Sequence, residues 1–228
     1  MIRIITDSAA DLTPQEQAQP GVMVVPMAIT FEDGSSIEDD GQMTKDEFFR
    51  RLATDSKLPR TSQPSPAAFI DAYTEAELAG DEAIVITVGQ KLSGTFQCAT
   101  MAANDVDTAI YVIDSETATQ GEAVLVREAL RLRDTGLSAA QIADALELFK
   151  KRIRIVAVVD SLKHLQKGGR VPAAVAIVGG ALGIKPVIGL YESTVKLVGK
   201  GRGRPGALVA LFKQLDEMGG IDTNYPCT

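Results

Sequence analysis

The chain has 228 residues, 45% of them hydrophobic and 23% charged, and 23 basic against 30 acidic side chains leave a net charge of -7. That length gives one large or two modest domains with a sizeable core, and the acidic balance, with an isoelectric point near 4.8, argues against a broad nucleic-acid or anionic-membrane surface while leaving room for a local basic patch. Two cysteines, Cys98 and Cys227, far apart and without a CxxC spacing, argue against a disulfide framework and a structural zinc site and fit a reducing cytoplasm.

The amino terminus, Met1-Ile2-Arg3-Ile4-Ile5-Thr6, enters a strand pattern at once, without the apolar region and cleavage site of an export signal. Ile2 to Thr6 reads as a short buried strand ending in Asp7-Ser8. Thr13-Pro14-Gln15-Glu16 then offers a capping box with Pro at the first helical position. Val22 to Phe31 is rich in β-branched residues and predicts one or two extended segments around Pro26. An acidic loop, Ile37 to Gly41, precedes a second capping box, Thr44-Lys45-Asp46-Glu47, which starts a helix to about Ala53.

Thr61-Ser62-Gln63-Pro64-Ser65-Pro66 cannot be regular helix, because each proline pushes its predecessor into extended conformations. Ser65 reads as an N-cap and Pro66 as the first helical residue, with Phe69, Ile70 and Tyr73 on one face of the helix that follows. Thr61 and Ser62 are thereby expected in a stiff extended loop. Ala83 to Val88 is a continuous apolar strand of the kind buried in parallel sheets. It leads into Leu92-Ser93-Gly94-Thr95-Phe96-Gln97-Cys98, two hydroxyls and a glycine at a strand-to-helix turn. Such a turn is either a plain N-cap or a place where free helix N–H groups meet an anion.

A helix to about Ala103 and a strand from Ala109 to Ile113 follow. Gly121 to Thr135 and Ser138 to Lys151 read as amphipathic helices, and Ile153 to Val159 as a strand. Three strands end in Asp-Ser: Asp7-Ser8, Asp114-Ser115 and Asp160-Ser161. Capping explains each pair, and their shared placement predicts a polar rim at one edge of a sheet. A short helical stretch from Leu162 to Leu165 leads to Lys167-Gly168-Gly169-Arg170, a flexible turn carrying a permanent cation. Val171 to Ile184 is apolar and uncharged but too short to span a bilayer, and it is broken by Pro172, Gly179, Gly180 and Gly183, so it reads as a core or pocket segment. Lys185 to Leu190 and Thr194 to Val198 form a strand pair turning at Glu192-Ser193. Gly199 to Gly206 is expected as a turn before a last helix from Ala207 to about Met218, and Ile221 to Thr228 shows no convincing element.

Several chemistries compete. Gly201-Arg202-Gly203-Arg204-Pro205-Gly206 matches GxGxxG, but a dinucleotide fingerprint should open a βαβ unit, and here the preceding strand is half of a hairpin near the chain end. The stretch reads better as a basic turn that meets an anion or an acidic partner. Covalent catalysis would use Ser93 with His164, the single histidine, or Lys91 as base, although Leu-Ser-Gly-Thr is not a nucleophile elbow. Metal catalysis has only carboxylates to draw on, and the Glu38-Asp39-Asp40 run supplies too few converging oxygens.

Taken in order, Asp7-Ser8 with Asp11-Leu12, Thr61-Ser62-Gln63-Pro64-Ser65-Pro66, Leu92-Ser93-Gly94-Thr95, Asp114-Ser115 and Lys167-Gly168-Gly169-Arg170 resemble the DegV family of fatty-acid-binding proteins over nearly the whole chain. The resemblance implies a two-domain α/β fold. Residues 1–152 would form a mostly parallel, Rossmann-like sheet with helices on both faces and the head-group loops; residues 153–228 would form a smaller α/β domain contributing to the acyl pocket. It implies a bacterial, cytoplasmic binding protein, not an enzyme by itself, that buries a long-chain fatty acid such as hexadecanoate. Such a protein presents the carboxylate to the catalytic subunit of fatty acid kinase and carries the acyl phosphate onward, with an acyltransferase and transient membrane contact as further partners. No cofactor, metal or nucleic acid is implied.

By the same resemblance Thr61 and Ser93 are the direct carboxylate ligands, with Ser62, Gly94 and Thr95 shaping the site. Arg170, Arg202 and Arg204 would stabilise the acyl phosphate or meet the kinase, and Val171 to Ile184 is, by composition, the candidate tail lining. The chain departs from the family pattern at Val88-Gly89 and Val171-Pro172. Relatives also continue beyond the position of Thr228 to a glycine-rich segment with a histidine near the head group, so the second domain is expected to be incomplete. A serine-dependent acyl hydrolase using Ser93, and a phosphate- or nucleotide-binding regulator using the Lys200 to Gly206 turn, remain as alternatives.

Overall fold

In the computed structural model, which describes residues 1–171 and 183–223, the chain divides into two compact units, Met1–Ile153 and Arg154–Thr228. The first runs β1 (Ile2–Asp7), α1 (Pro14–Gln17), β2 (Val22–Val25), β3 (Ala28–Thr30), β4 (Ser36–Glu38), α2 (Lys45–Thr54), β5 (Arg60–Ser62) and α3 (Pro66–Leu78). It continues through β6 (Glu82–Thr87), α4 (Thr95–Ala102), β7 (Ile110–Asp114), α5 (Gln120–Asp134) and α6 (Ala139–Phe149).

Four of these strands form a sheet in the order β2-β1-β6-β7, every pair parallel. Parallel strands covered on both faces need apolar side chains at successive positions rather than alternate ones, and Ile4, Ile5, Ile84, Val85 and Ile86 are all fully buried. On one face Ile5, Ala83 and Val85 pack with Phe69 and Tyr73 of α3 and Cys98 and Ala99 of α4. The Tyr73 hydroxyl locks the two helices together by donating to the Ala99 carbonyl at 3.1 Å. The opposite face of β1 turns Thr6 toward Glu122 of α5. The result is the expected α/β architecture, helices on both faces of a parallel sheet.

The helix starts follow local chemistry. Thr13 and Glu16 make the reciprocal capping box, with Pro14 in the first turn. Thr44 accepts from the Glu47 amide, and Ser65 accepts from the Ala68 amide with Pro66 behind it. Pro26 divides the Val22 to Phe31 stretch into strands of two different sheets: β2 joins the parallel sheet, while β3 centres a small antiparallel one, β4-β3-β5. Here Thr61 and Ser62 differ from the expected loop. They are strand residues of β5, opposite Ile29 and Ala28, because the extended backbone set by the downstream prolines is also the backbone a ladder requires.

The second unit holds β8 (Ile155–Val158), α7 (Lys163–Lys167), β9 (Ile184–Tyr191), β10 (Thr194–Arg202) and α8 (Gly203–Glu217), its antiparallel sheet ordered β10-β9-β8. The hairpin turns at Glu192 and Ser193, both left-handed with φ of 48 and 59°, the paired geometry that matches strand twist in a two-residue connection. Residues 172–182, most of the anticipated tail lining, and 224–228, with Cys227, lie outside the described residues.

The Lys200 to Gly206 stretch is not a turn. Lys200, Gly201 and Arg202 stand in the ladder opposite Pro186, Lys185 and Ile184, and α8 begins directly at Gly203 in a left-handed conformation, φ 63°. A Cβ on Gly201 would collide with the backbone of Gly206 and Ala207, so this glycine permits strand and helix to meet. Gly201→Ala is expected to destabilise the protein by about 1 to 3 kcal/mol, the usual cost of overpacking. An unchanged denaturant midpoint would contradict that role.

Candidate functional site

Because β2 lies on one side of β1 and β6 on the other, the carboxyl ends of β1 and β6 flank the point where strand order reverses. Open α/β sheets receive ligands there. At this point Asp7, the last residue of β1, is fully buried. One carboxylate oxygen accepts from the Ala9 amide at 2.9 Å, the other from the Val88 amide at 2.8 Å. Burial pushes its carboxyl up to about 6, against the pull of those two donors.

Two more anchors follow in register. The Gly89 amide donates to the Thr117 carbonyl at 2.8 Å, and the Gln90 amide to Asp114 Oδ1 at 3.1 Å. Three consecutive amides after β6 are therefore tied to groups at the same sheet edge. The chain then folds back, Leu92 N–H to Gly89 C=O at 2.8 Å, and presents Ser93.

Ser93 is not the cap of α4. The cap residue is Gly94, which has no side chain to give, and the Ser93 hydroxyl instead shares a 2.8 Å hydrogen bond with the Thr95 hydroxyl. The first amides of α4 are left without a side-chain cap, the arrangement in which a helix start favours negative charge. Thr95 is buried, and Ser93 and Gly94 half-buried. A hydroxyl partner does not activate Ser93 as a nucleophile; His164 is an exposed residue of α7 in the second unit.

The structure brings the two hydroxyl segments together. The Gln63 side-chain amide lies over Gly94, where a Cβ would strike it, and the Cys98 thiol donates to the Pro64 carbonyl at 3.3 Å. Side chains alternate along β5 and the extended residue after it, so Thr61 shares the side of Gln63 and Ser62 takes the other. Both Thr61 and Ser62 are exposed.

The three arginines belong to the second unit and are all exposed. Arg170 donates to the Gly168 carbonyl at 2.6 Å, Arg202 ends β10 and Arg204 sits in the first turn of α8. Only two of the three Asp-Ser pairs make the predicted rim. Asp160 belongs to the second unit, exposed and held below the usual carboxylate range by its 2.7 Å ion pair with Lys185 and, less, by Arg204. Asp7 and Asp114 cap local turns, as Asp-Ser suggested, but their longer-range hold on Val88 and Gln90 carries no local signal, nor does Gln63 against Gly94. Among the described residues no group of three or more His, Cys, Asp or Glu could hold a metal ion.

A sequence model of the DegV family, described as uncharacterised proteins, matches residues 1–225. A DegV domain-containing protein of Caldanaerobacter subterraneus subsp. tengcongensis is 36% identical over 208 residues, 91% of this chain and 74% of the relative. Among solved structures, a stearic acid-binding protein from Eubacterium ventriosum superposes with a TM-score of 0.88 at 30% identity, covering 96% of this chain and 76% of that one. The fatty acid kinase (Fak) B3 protein of Streptococcus pneumoniae, loaded with linoleic acid, gives 0.86 at 26% identity, covering 96% and 79%.

Asp7→Ala would strand the Ala9 and Val88 amides in the interior. It is expected to cost about 2 kcal/mol or more, since each buried donor left unsatisfied costs about 1 to 3. Urea unfolding measures this, and a change below about 0.5 kcal/mol, the range of an ordinary surface substitution, would contradict it.

Proposed function

The chain belongs to the DegV family, and from that premise we propose that it binds one long-chain fatty acid, with the carboxylate on the Thr61 and Ser93 hydroxyls. The observation that carries the reading is the contact of the β5 segment with the start of α4, through Gln63 on Gly94 and Pro64 on Cys98. It supports the reading by holding the segment that directly follows Thr61 and Ser62 against a helix start whose amides have no side-chain cap. Gly94 and Thr95 shape the turn, and Ser62, on the opposite side of β5, has the lesser part.

The chemistry is that of capture. A carboxylate taken from water needs donors, and hydroxyls with helix amides supply them without a base. About fourteen methylenes at about 0.8 kcal/mol each give roughly 11 kcal/mol before ordering costs, against about 1.5 to 3 for each charge-assisted hydrogen bond. Affinity comes from the tail and orientation from the head group. The similarity to the stearic acid-binding protein of E. ventriosum and to the linoleic acid-loaded S. pneumoniae protein supports this reading.

The kinase B3 protein among those similar structures also supports a finer role. The chain presents the carboxylate to a partner kinase, which supplies the catalysis, and passes the acyl phosphate on. In that role the first unit carries the head group, and Arg170, Arg202 and Arg204, all exposed, meet phosphate or the acidic surface of the partner, as guanidinium groups suit both. Work in the cytoplasm fits this role; no helix among the described residues is long and apolar enough to cross a membrane.

Solvent extraction of the purified protein followed by mass spectrometry is expected to release fatty acid in near-stoichiometric amount. Absence of fatty acid, together with no binding of added hexadecanoate, would overturn the proposal. Thr61→Ala and Ser93→Ala should each weaken binding at least about tenfold, the equivalent of about 1.4 kcal/mol; unchanged affinity in both would remove these residues from the site.

A further inference from the structure

Glu122 is fully buried in the first turns of α5. One of its oxygens accepts from the Thr6 hydroxyl at 3.0 Å; the other is buried with no hydrogen-bond partner. The groups that act on it are acidic: Asp7 at the end of β1, Asp11 after the Ser8–Ala10 turn, and Asp114 at the end of β7. From α6 the acidic groups are Asp144, which is exposed, and Glu147, which pairs with Lys150 at 2.8 Å. From β6 there is Glu82, exposed at the strand start.

Among the described residues, the groups acting on Glu122 include no cation; the basic residues of α5 and of the segment after α6 lie in other pairings, with Arg127 Nη1 buried and without a partner. Arg127, farther along α5, donates to Glu16 at 2.6 Å and to Gln120 at 3.2 Å, and Lys150 donates to the Asp114 carbonyl at 3.0 Å. Burial and the surrounding carboxylates both push the Glu122 carboxyl well above its ordinary range.

The hydrogen bonds decide where a proton resides. Both Asp7 oxygens accept amide hydrogens, which is the pattern of an anion. Glu122 has a buried oxygen without a partner on which a proton can sit; Asp114 Oδ2 is likewise without a partner, while its Oδ1 accepts the Gln90 and Glu116 amides. We propose that Glu122 is held as a neutral carboxylic acid and is the positioning residue through which α5 fixes Thr6 and Asp7, and with Asp7 the Val88 amide at the start of the turn that presents Ser93. The residue immediately before Asp7 is the one Glu122 grips, so an ionised or absent Glu122 would act on the head-group turn without touching the ligand.

The sign of the pH dependence follows. The folded protein binds this proton more tightly than the unfolded chain does, so its stabilisation is complete below the ordinary carboxyl range and is lost as pH rises toward the titration of Glu122 itself. Above about pH 6, where Asp7 has given up its own proton, one bound proton makes the unfolding constant rise up to tenfold per pH unit.

The test combines infrared spectroscopy with urea unfolding across pH. The wild-type protein at neutral pH is expected to show the carbonyl stretch of a protonated carboxyl group. Glu122→Gln, isosteric and neutral, should lack that band and lose one proton's worth of the pH slope. It should keep fatty-acid affinity within about twofold, whereas Glu122→Ala weakens it at least tenfold. The binding arm rests on the proposed fatty-acid site; the infrared and unfolding arms do not. A band and slope in a protein that binds no fatty acid would uphold the proton and refute the site. If Glu122→Gln does not fold, the loss or persistence of the band in Glu122→Ala decides. A wild-type protein with no such band, or a Glu122→Gln slope equal to wild type, overturns the inference.

Discussion

The carboxylate of Asp7 is the joint on which the first unit's sheet edge depends. It closes the turn after β1 through the Ala9 amide and reaches across the strand-order reversal to the Val88 amide, so two connections that leave the sheet in different directions share one acceptor. A buried charge is tolerable where its lone pairs are taken up by fixed donors. Its neighbour Glu122, with one oxygen unpartnered, lacks that compensation. The contrast between these two acids, a few hydrogen bonds apart, gives the edge both its rigidity and its dependence on a proton.

From that edge the rest of the candidate site is a matter of reach. Thr117 and Asp114 continue the anchoring to Gly89 and Gln90, the chain doubles back at Leu92, and Gly94 opens α4 with no side chain to cap it. Any residue at 94 larger than glycine would push Gln63 aside, and the Cys98 thiol on the Pro64 carbonyl ties the segment after β5 to α4. The same logic explains Gly201 in the second unit, where the missing side chain lets β10 and α8 touch. A GxGxxG pattern that resembles a phosphate loop is there the record of a packing constraint.

Much of this was legible in the residues alone. Continuous apolar runs gave the buried parallel strands, because only two-sided burial removes alternation. Thr13, Thr44 and Ser65 announced their helices through local hydrogen bonds that the sequence spells out. What depends on distant partners was not legible. Thr61 and Ser62 became a strand because Ala28 and Ile29 stand opposite them. Ser93 lost its capping role to Gly94, and Asp160 shares a dipeptide with Asp7 and Asp114 but none of their environment. For the site, the ordered motifs pointed to Thr61 and Ser93, while Gln63, Thr117 and Glu122 carried no signal, since each matters only through a contact made many residues away.

The central claim is that the β5 hydroxyl edge and the α4 start act together on one carboxylate. The most direct measurement is the NMR resonance of hexadecanoate, isotope-labelled at its carboxyl carbon, bound to the wild-type protein and to the Thr61→Ala and Ser93→Ala variants. The account predicts a bound resonance distinct from the free ligand that moves in each variant. A carboxyl resonance that is the same in wild type and both variants would place the head group elsewhere and contradict it.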